Sequence, residues 1–98
     1  MELGKVKGQV VTTARDARLP LCSLLLVALC DASGKETGIQ QVAADPIGAG
    51  HGEWVLLTRG SSARQGFGDP VPVDLCIVGI VDEVTGKDAV LYSKAGTK

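Results

Sequence analysis

The sequence predicts an all-β domain, a small barrel or sandwich of five or six short strands with one helical turn and a C-terminal hairpin. Short alternating or wholly apolar segments recur along the chain, separated by clusters of Gly, Pro, Asp and Ser. Two of them, Leu21–Cys30 and Val73–Val81, are apolar on both parities. The helical signal is confined to one short segment around Ser62.

Lys5, Lys7 and Gln9 alternate with Val6, Gly8 and Val10, the period of a half-exposed strand. Thr12–Arg18 carries charge without periodicity and reads as a loop leading to Pro20. Leu21–Cys30 is rich in Leu and Ala, so local propensity fits a helix as well as a buried strand. The turn residues Asp31–Lys35 and the segment Gly38–Ala43 after them, which can pair back as a hairpin, favour the strand. Asp45–Gly52 is a loop dense in Pro and Gly, and Glu53–Arg59 is the next strand. In Gly60–Gly66, Ser62 and Gln65 have the spacing of a capping box and Gly66 can end the turn. After the loop Gly68–Pro72 comes the doubly apolar Val73–Val81. Thr85-Gly86-Lys87 then turns the chain so that Ala89–Ser93 returns as the last strand, and a polar tail starts at Lys94.

The 98 residues make one domain, 1–98, that buries about 60 to 70 per cent of its unfolded surface. Its core is aliphatic, with Trp54, Phe67 and Tyr92 as the aromatics. Two strands apolar on both faces need a cover that a nearly helix-free chain does not supply. The economical cover is a second copy, the alternative being that one run lies wholly inside the monomer core.

Ten basic residues stand against eleven acidic ones, so no net field draws the chain to nucleic acid or an anionic membrane. The start, Met1–Lys5, lacks a signal peptide's apolar stretch, and Leu19–Cys30 is too short for a bilayer span, which reads as a soluble cytoplasmic protein. Cys22, Cys30 and Cys76 are odd in number and lack CxxC spacing, against both a disulfide framework and a zinc site. On one strand Cys22 and Cys30 would be about 26 Å apart, beyond bridging distance.

The sequence offers no catalytic, cofactor or metal constellation. His51 is a lone histidine in a Gly-rich loop, and Gly60-Ser61-Ser62-Ala63-Arg64 has Arg64 where a nucleophile elbow needs glycine. Gly48-Ala49-Gly50-His51-Gly52 lacks the Lys-Ser/Thr of a phosphate-binding loop and precedes a strand rather than a helix. Asp45 and Glu53, or Asp74 and Asp82, read as solvated loop positions or turn caps. A barrel that binds nucleic acid or another ligand is the alternative function, and three aromatics with no basic stripe equip it poorly for nucleic acid.

Val42–Leu56, containing Ala43-Ala44-Asp45, Gly48-Ala49-Gly50-His51-Gly52-Glu53 and Val55-Leu56, resembles the bacterial microcompartment vertex proteins of the EutN/CcmL family. Gly60-Ser61-Ser62-Ala63-Arg64, the strand Pro72–Asp82, the ending Leu91–Lys94 and the opening Val6, Gly8, Val10 agree with the same pattern in the same order. The resemblance implies a five-stranded barrel like an oligonucleotide-binding fold, assembled as a homopentamer that plugs the fivefold vertices of a microcompartment shell among hexagonal tile proteins. It implies a structural role, not an enzyme, with no nucleic acid, membrane or cofactor as partner. Within it, Gly48, Ala49, Gly50, His51, Gly52 and Glu53 are expected at the contact with a neighbouring tile, the competing assignment being the fivefold axis or a plain turn. Ser61, Ser62 and Arg64 are candidates for the contact between subunits, or else a helix cap with an exposed charge.

Overall fold

The computed structural model describes residues 1–65, 71–87 and 89–94. Strands β1 (Glu2–Val10), β2 (Ser23–Cys30), β3 (Glu36–Asp45), β4 (Trp54–Arg59) and β5 (Leu75–Ile80) close into a barrel in the order β1-β2-β3-β5-β4. Helix α1 (Ser61–Arg64) follows β4, and β6 (Glu83–Thr85) with β7 (Val90–Ser93) forms a separate two-stranded sheet. The all-β five-stranded barrel with one helical turn and a C-terminal hairpin is therefore what the chain adopts.

Alternation decides which side chains fill the barrel. Val6, Leu25, Val27, Ala43, Val55, Leu57, Leu75 and Ile77 share the inward parity and form one buried aliphatic cluster. Arg59 continues the inward parity of β4 past this cluster, where its guanidinium donates to Glu2 Oε2 at 2.9 Å and to Gln41 Oε1 at 2.8 Å. One end of the barrel is thus closed by polar side chains. The seam between β3 and β5 is parallel and its register holds the single pair Ala44 with Cys76, whereas the other neighbours are antiparallel over longer runs.

Several boundaries differ from those the local pattern suggests. β1 begins at Glu2 because Glu2–Lys5 pair with Leu57–Trp54, a partnership that is distant in sequence. β3 extends outward at both ends of Gly38–Ala43, reaching Glu36 opposite Cys30 and Asp45 opposite Ser23. Val73 lies outside β5 yet is buried, because it packs on the barrel's outer surface. The capping box is not formed: α1 starts at Ser61, Gly60 is its N-cap with φ 69°, and no side chain caps it. The positive φ suits glycine, and it moves the helix start so that Ser62 falls inside the turn. Gly66, the loop segment 66–70 and the tail 95–98 lie outside the described residues.

The outer surface explains the doubly apolar runs in part. Ala44, Ala63, Val73 and Cys76 form a second buried cluster, with Leu19, Cys22, Leu24 and Val71 packed against it. The chain's own α1 and flanking loops therefore cover this side of β2, β3 and β5, where a second copy was expected. Val42, Ile47 and Val78 remain exposed beyond it.

Trp54 lies on the outer face of β4 and is buried without entering the barrel. Its ring stacks on Tyr92 of β7 at 4.1 Å between centroids, with the Lys5 ammonium 5.5 Å from its centroid. Gly34, at φ 91°, passes so close to the indole that a Cβ there would run into the ring. One aromatic side chain thus joins the β2–β3 turn, the barrel and the hairpin.

Candidate functional site

The loop after β3 is built around two carboxylates. Asp45 ends β3 with 5% of its surface exposed, the buried charged residue of the chain's described part. Its Oδ1 accepts from the N–H groups of Ile47 at 3.1 Å and Gly48 at 2.9 Å, and its Oδ2 from Ala49 at 2.8 Å. Glu53 Oε1 accepts from the Gly50 N–H at 2.6 Å, while its Oε2 meets the Lys94 ammonium at 2.7 Å. Lys94 and, behind it, the Gly50 N–H hold the Glu53 carboxyl below the usual glutamate range.

The same loop is stitched to β1. Gly52 donates to the Val6 carbonyl at 2.8 Å, and Val6 donates to the Glu53 carbonyl at 3.0 Å. Gly48 at φ 100° and Gly52 at φ 83° take the left-handed turns this path requires. Ala49 packs inward against the barrel core, whereas His51 is exposed at the tip. Four successive N–H donors, from Ile47 to Gly50, already point at carboxylates, so the glycine run presents a braced surface instead of an anion cradle.

Structure brings part of the second candidate set beside the first. Ser61 and Ser62 are exposed on α1, and a shallow cavity of about 190 Å³ lies between Pro46 and Ile47 on one side and Ser62, Ala63 and Val78 on the other. Arg64 is half-buried and donates to the Val73 carbonyl at 3.3 Å, tying α1 to the segment that covers the outer cluster. Among the described residues, no three His, Cys, Asp or Glu side chains gather as metal ligands.

Asp45 is the turn cap that its place before Pro46 suggests, binding the next N–H groups, and it is buried where a solvated position was the alternative. Lys94 opens a polar tail in the sequence, yet its ion pair with Glu53 joins residues 41 positions apart that no local pattern connects.

The family model described as "Ethanolamine utilisation protein EutN/carboxysome" matches residues 1–82. The chain is 50% identical over 95 residues to the bacterial microcompartment shell vertex protein EutN of Salmonella typhimurium, covering 96% of each chain. It is 45% identical over 96 residues to the carboxysome shell vertex protein CcmL of Nostoc sp., covering 96% of this chain and 95% of that one. The solved structure of Gloeobacter violaceus CcmL superimposes with a TM-score of 0.92 at 41% identity, over 98% of this chain and 100% of that one. The GrpN pentameric microcompartment shell protein from Rhodospirillum rubrum gives 0.80 at 43% identity, over 88% and 100%.

Proposed function

The chain belongs to the EutN/CcmL family, and from that membership we propose that it is a structural shell subunit, five copies of which form a ring that caps the fivefold vertices of a bacterial microcompartment. The observation that carries this reading is 50% identity to a shell vertex protein along 96% of the chain. A sheet of hexagonal tiles cannot close into a polyhedron without pentagons, and a ring of small rigid barrels supplies them. Its partners are four further copies and the flanking tiles of the same shell. Its work is geometric and uses no catalytic group. No helix among the described residues is long and apolar enough to cross a membrane, in keeping with a place in a protein shell.

Within that role the loop Gly48–Glu53 meets the neighbouring tile. What supports this is its bracing: a contact surface whose backbone donors are held by Asp45 and Glu53 loses little entropy on docking. Ala49 packs against the core, so substitution there would perturb the barrel itself, and His51 is the better probe. Ser61 and Ser62 stand exposed on the same flank and serve the contact between subunits, with Arg64 acting through the segment it holds.

Native mass spectrometry of the purified protein at micromolar concentration is expected to show a five-subunit species. A persistent monomer would overturn the ring. His51→Glu is expected to leave both the ring and the thermal midpoint unchanged while shells made with the other components become open or leaky. Closed shells carrying the variant at wild-type occupancy would remove the loop from the tile contact.

A further inference from the structure

The barrel has one weak seam. β3 and β5 run parallel and share the single register pair Ala44 with Cys76, whereas every other pair of neighbouring barrel strands is antiparallel over at least four register pairs. Parallel pairing is slightly less stable per residue, so this seam leans on the packing outside it. That packing is the outer cluster of Ala44, Ala63, Val73 and Cys76, against which Leu19, Cys22 and Leu24 lie.

Two of the three cysteines therefore meet at the seam. Ala44 pairs with Leu24 of β2 on one side and with Cys76 of β5 on the other. Cys22 stands two residues before Leu24, on the same outward parity, where the chain bends ahead of β2. Cys22 is half-buried and Cys76 is 5% exposed. Burial, then the nearby Cys22 and Asp45, push the Cys76 thiol up. Cys30 stands apart from this group, at the far end of β2 opposite Leu3. Across from Cys76 on β4, Thr58 carries a buried hydroxyl with no hydrogen-bond partner among the described residues. Directly opposed residues share a face of the sheet, so this donor is available to a thiolate at Cys76.

We propose that Cys22 and Cys76 form a redox latch across the β3–β5 seam, closing to a disulfide when the protein meets a low-molecular-weight disulfide and opening under thiol reductants. The accessible Cys22 thiolate attacks one sulfur of the oxidant, forming a mixed disulfide and releasing one thiol. The Cys76 thiolate then attacks Cys22 Sγ and expels the second. Two protein thiols are oxidised to one bond, the oxidant is reduced to two thiols, and the two protons go with them. Disulfide geometry needs the Cα atoms within about 7 Å, and two strand spacings set Leu24 and Cys76 about 10 Å apart across Ala44. Closure thus draws the bend at Cys22 over the end of β3. Residues 11–22 lie outside the strands and supply that movement. The closed bond joins positions far apart in the chain, and such a crosslink stabilises chiefly by restricting the unfolded state. The latch belongs to the single chain and does not depend on the ring.

The test incubates the protein with glutathione disulfide, blocks the remaining thiols by alkylation and maps the peptides by mass spectrometry, with urea unfolding of the same samples before and after dithiothreitol. Wild type and Cys30→Ala are expected to show a Cys22–Cys76 link and a urea midpoint raised by roughly 1 M or more, lost again on reduction. Cys76→Ala is expected to stop at glutathione on Cys22, and Cys22→Ser to leave Cys76 unmodified in the folded protein. The link forms faster as pH rises above neutral, since Cys76 must ionise for the second step. The wild-type map decides the question by itself if Cys76→Ala fails to fold. A wild type that stays reduced or keeps glutathione on Cys22 overturns the latch, as does a crosslink between chains through Cys22 or a closed bond that leaves the midpoint unchanged or lower.

Discussion

Asp45 shows how much one side chain can carry in so small a barrel. It is buried, it accepts three backbone hydrogen bonds, and it fixes the path of the loop that bears His51. Asp45→Asn keeps an acceptor for Ile47 and Gly48 but turns an amide towards the Ala49 N–H, setting donor against donor. The expected cost is about 1–3 kcal/mol, read from the urea midpoint at unchanged slope. The cysteines follow burial in the same way. Burial pushes the Cys30 and Cys76 thiols up, whereas Cys22 is half-buried at the edge of the outer cluster. Alkylation of the native protein near neutral pH is expected to modify Cys22 first and to reach Cys30 and Cys76 quickly only in denaturant. Rapid modification of all three in the folded chain would contradict this packing.

At the level of elements, the hairpin is the least supported piece, and its attachment is partly ionic. Because Lys94 lowers the Glu53 carboxyl in the folded chain, the pair stabilises the fold fully above the ordinary glutamate range. That contribution disappears as pH falls through the lowered folded-state value. Acidification below about pH 4 is expected to loosen the hairpin and change Trp54 emission before the barrel unfolds. Glu53→Gln should show the loosened emission at neutral pH and a flatter acid limb. An acid response identical to wild type would mean that the aromatic stack alone holds the hairpin. The loop and hairpin are therefore one mechanical unit, since the carboxylate that grips Lys94 also grips the Gly50 N–H.

For the molecule as a whole, charge is nearly balanced, with ten basic and eleven acidic residues, and the surfaces left open are aliphatic. A ring sealed by such surfaces should persist when salt is raised to about 1 M, where the Debye length is only about 3 Å, and light scattering after size exclusion measures it. Dissociation by salt would point to ionic contacts between subunits. The sequence by itself determined the all-β class, the aliphatic core and the family, because alternation, turn residues and the ordered motifs from Val6 to Lys94 are local signals. It also exposed the two doubly apolar runs. Which segments cover them was decided only by the tertiary structure: Ala63, Val73 and Leu19 converge on one outer face from positions far apart in the chain. The same holds for the ion pair of Glu53 with Lys94, the start of β1 opposite Leu57 and the Trp54–Tyr92 stack. Each depends on closure of the barrel, which brings together residues that share no sequence period, and no window along the chain contains that information.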